Sequence, residues 1–162
     1  MSDIEKVLIF WFQETKPHQW FAVEPGFDQV IQTRFGSLHQ QLAAGGNHQW
    51  RTTPHGRLAE ILVLDQFSRN LYRGTGQAFA CDALALRLAQ EAVALGVDKT
   101  FIASEKAFLY MPYMHSEDRE VHQEAVRLFS QPGLEFNLQF ELKHKAIIDR
   151  FGRYPHRNSL LT

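Results

Sequence analysis

Cysteine is nearly absent from this sequence of 162 residues, in which Cys81 is the only one. A single thiol excludes an internal disulfide and a zinc cluster held by several thiolates. Long apolar runs are also missing, because the run VLIFWF at residues 7–12 is much shorter than the roughly 20 residues that a membrane-spanning helix needs. The opening MSDIEK lacks the basic region of a signal peptide. These absences predict a cytoplasmic protein without a membrane partner.

Neither sign of charge dominates the sequence. The 17 Lys and Arg residues and 18 Asp and Glu residues give a formal net charge of −1. So small a net charge produces no global field that would recruit nucleic acid, and we therefore expect no nucleic-acid partner. The charge is nevertheless uneven, because residues 141–158 hold three arginines and two lysines against only Glu141 and Asp149.

Apolar residues recur at helical intervals through most of the chain, and no alternating strand pattern with turn signals appears. The pattern predicts an all-α protein of about seven helices, in which Thr53 and Pro54 open a central helix and Gly152 closes the last one. The short loops favour antiparallel hairpins. A chain of this length, with 13 Phe residues, is expected to form one domain over residues 1–162 around a core of large rings. The predicted helices begin near Ser2, Phe27, Thr53, Phe79, Ser104, Ser116 and Leu134.

Two polar residues occupy positions where the helical pattern calls for apolar ones. Asp65 follows Ile61 by four residues, and His144 lies on the stripe formed by Phe140, Ile147, Ile148 and Phe151. A buried carboxylate needs a partner, because desolvation of an unpaired polar group costs about 2–7 kcal/mol. Arg69, four residues after Asp65, can supply that partner in a purely structural pair. For His144 the structural alternative is a core imidazole bonded to a backbone carbonyl.

The stretch MPYMHSED at residues 111–118 suggests a third polar position. We expect Pro112 to kink or end a helix, and His115 to lie just before a new helix capped by Ser116. The positive end of that helix would keep His115 neutral and able to accept a proton. Together Asp65, His115 and His144 could also ligate one divalent metal ion, although the sequence neither supports nor excludes this, and we assign no metal site.

The chain's last helix runs into the basic segment RFGRYPHRN at residues 150–158. Arg150 and Arg153 complement the negative end of a helix, which needs no ligand to explain it. Arg157 and Asn158 lie beyond Pro155 and escape that explanation. Because guanidinium groups match carboxylate and phosphate oxygens bidentately, the segment predicts an anion pocket as readily as a solvated turn.

Four blocks of the sequence, in order, resemble the bacterial family called domain of unknown function 924: IFWF, LAEILVLDQFSRNLYRGTGQAFACD, FLYMPYMHSED and HKAIIDRFGRYPHRN. The resemblance covers about Lys6 to Asn158 and implies a tetratricopeptide-like stack of helix pairs, with no assigned activity. This chain ends in SLLT where the family usually continues, so we expect it to lack the family's C-terminal tail. The resemblance marks these positions: Asp65, Gln66, Arg69, Asn70, Pro112, His115, Glu117, Asp118, His144, Phe151, Gly152, Arg153, Pro155, His156, Arg157 and Asn158.

Three functions remain open from the sequence, and no cofactor is indicated. The leading hypothesis is a pocket for a small anionic ligand, with His115 and His144 exchanging protons. The second is a hydrolase in which His115 or His144 acts as general base and Asp65 orients an imidazole. The third is a scaffold that binds peptides through exposed aromatic residues such as Trp20, Phe21 and Trp50. The residues expected to hold the ligand are Arg69, Asn70, Arg153, His156, Arg157 and Asn158.

Overall fold

The computed structural model describes residues 1–161, with side chains through residue 160. Every regular element in that range is helical and none is a strand, which confirms the all-α prediction. The chain forms two compact units, Met1–Cys81 and the residues from Asp82 onward. Within the described range, no helix is both long and apolar enough to cross a bilayer. The tetratricopeptide-like stacking of the helices stays a prediction.

The first unit contains four helices and two wider helical turns. After α1 the chain widens into a π-helical turn, Phe10–Glu14, and a second one, Val63–Phe67, joins α3 to α4. The hydroxyl of Thr53 accepts the Gly56 amide at 3.1 Å, so the predicted cap of the central helix is confirmed. The helices are α1 Asp3–Ile9, α2 Pro25–Ala43, α3 Pro54–Leu62 and α4 Ser68–Leu71.

Large rings form the core of the first unit, as the richness in Phe predicts. The rings of Phe10 and Phe67 lie 5.2 and 5.1 Å from that of Phe35, and Trp11 packs 5.7 Å from Phe67. Such offset and tilted pairs add to the free energy of burying the rings. Trp50 is buried too, so it belongs to the core and is not a binding residue.

The second unit contains the other five α-helices of the described residues. Gly96 and Gly152 follow α5 and α8 with φ angles of 74° and 71°, a left-handed conformation that glycine adopts without strain. The end of the last long helix at Gly152 is therefore as predicted. The helices are α5 Asp82–Ala94, α6 Ala103–His115, α7 Arg119–Phe129, α8 Glu135–Phe151 and α9 Asn158–Leu161.

Helix α6 differs from the prediction at its C-terminal end. It continues past Pro112 to His115, so the proline does not end it. The next helix is capped by Asp118, whose carboxylate accepts the Glu120 amide at 2.8 Å, and not by Ser116. His115 therefore lies at the C-terminal end of its own helix. The prediction that it directly precedes a helix N-terminus is wrong.

Helix α8 turns a different face to the interior than its apolar pattern predicts. Ile148 is fully buried, but Phe140 and Phe151, assigned to the same inward stripe, are exposed. The inward face instead carries Glu141, which is also fully buried, and His144 is half-buried beside it. The helix is thus rotated so that a polar pair faces inward and aromatic rings face solvent.

Candidate functional site

Tyr154 packs against three histidines of the second unit, His122, His144 and His156, and we call these three together with His115 the imidazole cluster. The Tyr154 ring centroid lies 5.6 Å from that of His144, 5.8 Å from that of His156 and 6.2 Å from that of His122. His115 joins the group through its carbonyl, which accepts from the Arg157 guanidinium stacked over the Tyr154 ring. Its presence also helps to lower the pKa of His144. The cluster gathers side chains from α6, α7, α8 and the turn after α8.

The turn after α8 is held in place by Tyr154. After the left-handed Gly152, the backbone amide of Tyr154 donates to the carboxylate of Glu117 at 2.6 Å. The hydroxyl donates to the Met114 carbonyl, also at 2.6 Å, and the side chain is only 1% exposed. Burial and the nearby Glu141 carboxyl raise the pKa of Tyr154, so its phenol keeps its proton. Tyr154 is therefore a fixed donor that orders the segment from 152 to 157.

His122, the fully buried member of the cluster, forms a buried pair with Glu141. Nδ1 of His122 lies 2.7 Å from Oε2 of Glu141, and Nε2 lies 2.6 Å from the Ser116 carbonyl. A carbonyl only accepts, so Nε2 carries a proton and one further proton bridges Nδ1 and Oε2. Burial raises the pKa of Glu141, against the opposing effect of the His122 hydrogen bond. The pair is neutral overall wherever the bridging proton lies, which suits its burial.

His144 is the cluster's best-defined proton acceptor. Its Nδ1 lies 2.7 Å from the carbonyl of Phe140, so Nδ1 donates and Nε2 keeps its lone pair. Burial lowers the pKa of His144, and the neighbouring His115, His122 and His156 lower it further. The side chain is therefore neutral near pH 7, with its basic nitrogen on Nε2.

Arg157 connects the end of the segment to α6. Its guanidinium donates to the His115 carbonyl at 3.2 Å, lies 3.8 Å from the Asp82 carboxylate and stacks over the Tyr154 ring at 4.7 Å. The side chain is buried, so these contacts explain it as a structural residue of the second unit. Within the second unit the structure brings His115, His144, His156 and Arg157 together, while their role in an anion pocket stays a prediction.

The remaining predicted residues of this segment are exposed. His156 lies against Tyr154, and partial burial and then Arg157 lower its pKa. Arg153 and Asn158 are exposed, with no side-chain ion pair or hydrogen bond recorded among residues 1–161. These two side chains are therefore available to a ligand at the surface of the cluster.

Asp65 and Arg69 lie in the first unit and contact each other. Asp65 is fully buried in the π-helical turn after α3, as its spacing predicts. Arg69 donates to the Asp65 carbonyl at 2.9 Å and lies 3.6 Å from its carboxylate, which also accepts the Gln66 amide at 2.9 Å. The structural pair anticipated for these residues is present. Whether Asp65 and Arg69 share a pocket with the imidazole cluster stays a prediction.

Asn70 also has a partner within the first unit. Its amide donates to Oδ1 of Asp28 at 2.9 Å, and Arg73 binds the same carboxylate through Nε at 2.9 Å and NH2 at 3.2 Å. Asn70 thereby connects α4 to α2. This contact gives it a bracing function that does not require a ligand.

A separate cavity of about 340 Å³ lies in the first unit. His39, Tyr72, Gln77 and Cys81 contribute to its lining. The buried His39 bonds through Nε2 to the Ser68 hydroxyl at 2.7 Å, and burial lowers its pKa. Ser68 donates to the Leu64 carbonyl, so His39 donates from Nε2. None of the predicted site residues lines this cavity.

Metal ligation and the aromatic residues proposed for peptide binding were two further sequence hypotheses. Among residues 1–161, no group of three or more His, Cys, Asp and Glu side chains could hold a metal ion, so the metal alternative gains no support. Trp20 is half-buried and donates to the Trp11 carbonyl at 2.9 Å. Of the three aromatic residues proposed for peptide binding, Trp20, Phe21 and Trp50, Phe21 is the exposed one.

Sequence reasoning missed the residues that organise the cluster. Tyr154 stands out in the sequence only as part of the basic segment at residues 150–158, and the local pattern does not mark His122 as buried. The seven-residue spacing of His122 from His115 and the three-residue spacing of Glu141 from His144 were the available signals. Neither spacing indicates a contact by itself, because His122 on α7 and Glu141 on α8 meet only when the two helices pack together.

Comparison with known proteins shows where the chain has relatives. A family model described as "Bacterial protein of unknown function (DUF924)" matches residues 7–162. A solved structure of a protein of unknown function from Agrobacterium tumefaciens is 35% identical, with a TM-score of 0.92, over 98% of this chain and 89% of that one. No match was found among curated proteins.

Proposed function

The chain belongs to the DUF924 family of bacterial proteins of unknown function, and we propose that it binds a small carboxylate- or phosphate-bearing anion at the imidazole cluster. The single observation that supports this is the packing of the His144, His156 and His122 rings around Tyr154, at 5.6, 5.8 and 6.2 Å. Burial lowers the pKa of His144, and the nearby His115, His122 and His156 add to that effect. Imidazoles that disfavour one another's protonation are stabilised in the protonated form by an anion placed among them.

The ligand's contacts follow from exposure. His144 would supply a proton-bearing Nε2 once it is charged, and the exposed His156, Arg153 and Asn158 would supply further donors. Arg157 would contribute positive charge from its buried position over Tyr154.

A titration of histidine ring signals by NMR tests the proposal. Inorganic phosphate and acetate are added against chloride at matched ionic strength, and the His144 and His156 signals are expected to shift saturably. His144→Gln and Arg153→Ala should each weaken binding about tenfold or more, as loss of a charged hydrogen bond does. His18→Gln is the matched control, because His18 is an exposed histidine of the first unit. Shifts that match chloride, or survive both substitutions, would refute anion binding here.

A second candidate function is hydrolysis with His144 as general base. The observation favouring it is the fixed tautomer, in which Nδ1 donates to the Phe140 carbonyl and leaves the lone pair on Nε2 of a neutral, half-buried ring. His115 would assist from the C-terminal end of α6. Esterase and phosphatase panels, run with and without added divalent metals, test this function. Activity that His144→Gln abolishes and His18→Gln preserves would support it, whereas inactivity throughout the panels would count against it.

A further inference from the structure

The outer face of α8 carries a row of apolar residues, the exposed Phe136, Phe140 and Phe151 with the half-buried Ile147 between them, which we call the aromatic stripe. Phe136 is 66% exposed, Phe140 41% and Phe151 47%. We propose that this stripe is a docking surface for an acidic amphipathic helix of another protein. The surface is distinct from the anion-binding function proposed above and does not depend on it.

Helical spacing places the four side chains on one face. They are separated by four, seven and four residues, so they follow one line along the helix while Glu141 and Ile148 face inward. Fifteen residues separate Phe136 from Phe151, which corresponds to about 22 Å of helix. The rings of Phe136 and Phe140 contact each other edge to face at 5.0 Å. A partner helix of comparable length could cover the whole stripe.

Two cations flank the exposed rings. Nζ of Lys143 lies 5.4 Å from the Phe140 centroid, and the Arg150 guanidinium lies 5.0 Å from that of Phe151. Among residues 1–161, neither cation has a recorded ion pair with a carboxylate. An occupant with apolar side chains along one face and Asp or Glu beside them would complement both the rings and the charges.

A second copy of this chain fits the stripe less well. The surface carboxylates of α8 already have partners within the chain, because Glu135 accepts the Gly133 amide at 3.1 Å and Asp149 binds Lys145 at 2.6 Å. They are therefore poor partners for Lys143 and Arg150 of a second copy. An antiparallel pairing about the stripe's midpoint would also bring the two Lys143 side chains together. Like charges at the centre of an interface oppose such a dimer.

An anionic bilayer is also a weaker match. Amphipathic helices that lie on membranes depend on a strongly basic polar face and on attraction to anionic lipid. This chain has a formal net charge of −1, and α8 itself bears Glu135 and Asp149 beside its cations. A helical partner needs only the local pairing of its acids with Lys143 and Arg150.

Fluorescence anisotropy with designed peptides tests the proposal. The probe is a labelled peptide of about 18 residues, long enough to cover the stripe, with leucines on one helical face and glutamates elsewhere. A scrambled peptide of identical composition controls for charge alone. The protein variants are Phe136→Ala with Phe140→Ala, and Lys143→Glu with Arg150→Glu. Leu95→Ala with Ile102→Ala is the matched control, because both are exposed apolar residues of the same unit.

The amphipathic peptide is expected to bind at least about tenfold tighter than the scrambled one, as a face-specific interface requires. The phenylalanine double variant should lose that preference, and charge reversal should transfer it to a peptide with lysine in place of glutamate. Equal binding of the two acidic peptides, or binding unchanged in both double variants, would overturn the proposal. The proposal would also be overturned if analytical ultracentrifugation showed a dimer that the phenylalanine double variant no longer forms. Binding to phosphatidylserine vesicles, but not to the peptide, that the same variant abolishes would overturn it as well.

Discussion

The Tyr154 hydroxyl lies 3.1 Å from Nε2 of His122, at the point where the turn after α8 meets α7. The same hydroxyl donates to the Met114 carbonyl, while Nε2 of His122 faces the Ser116 carbonyl. One tyrosine thus joins the C-terminal end of α6, the loop after it, and α7. Tyr154 therefore fixes the relative positions of the segments that carry the more accessible histidines of the cluster, His115, His144 and His156.

Replacement of Tyr154 by Phe should destabilise the protein by about 1–3 kcal/mol, because it leaves the buried Met114 carbonyl without its donor. Chemical denaturation monitored by circular dichroism measures the change. Tyr72→Phe is the matched control, since no hydrogen bond of the Tyr72 hydroxyl is recorded among residues 1–161. Equal stabilities of the two variants would show that the Tyr154 hydroxyl contributes nothing.

Removal of the Glu141 carboxyl should reduce the free energy of unfolding by more than the Tyr154→Phe substitution does. Glu141→Leu leaves Nδ1 of the fully buried His122 unpaired and is expected to cost about 3–5 kcal/mol. Glu141→Gln should cost less, because its amide can donate to Nδ1. The exposed Glu124–Arg127 pair supplies the control, and Glu124→Leu should change the free energy of unfolding by less than about 1 kcal/mol. A Glu141→Leu protein as stable as the control variant would contradict the buried pair.

Acidification should weaken the folded state through His39. Burial lowers its pKa below the ordinary 6.5, so the unfolded chain binds a proton at a higher pH than the folded one. The contribution of neutral His39 to the free energy of unfolding is therefore fully present above pH 6.5. It decreases as the pH falls from 6.5 toward the lowered pKa. His39→Gln should reduce this slope in urea denaturation, whereas the exposed His48→Gln should not. An unchanged slope in His39→Gln would exclude His39 as a source.

Anion affinity should rise as the pH falls below 6.5, because His144 has a lowered pKa and must gain a proton to donate to the ligand. Sulfate is the appropriate probe, since its charge is constant in this range. The dissociation constant should change by up to about tenfold per pH unit for one proton taken up. His144→Gln should flatten this dependence in calorimetric titrations. A pH-independent affinity in the unsubstituted protein would argue against protonation of His144 on binding.

The placement of the helices was largely predictable from local pattern. Thr53 caps α3 and Gly152 ends α8 as expected, because hydroxyl caps and left-handed glycines act on the nearest few residues. The inward position of Asp65 also followed from spacing, and so did its contact with Arg69. These outcomes depend on interactions within one or two turns of helix.

The candidate site was predictable only in part. His115, His144, His156 and Arg157 were identified from polar residues in unusual places, but Tyr154, which organises them, was not. Its contacts reach Glu117 and Met114, 37 and 40 residues away, so no local pattern reports them. Pro112 likewise was expected to disturb α6, which continues to His115.

The sequence by itself determined that this chain is helical and where several of its helices begin or end, because capping, turn chemistry and periodicity operate over a few residues. Tertiary structure alone decided which face of α8 is buried. Glu141 faces inward because His122 on α7 offers it a hydrogen bond, and that contact leaves Phe140 and Phe151 in solvent. The partner that makes a buried carboxyl tolerable comes from another helix, so the hydrophobic pattern of α8 could not reveal it.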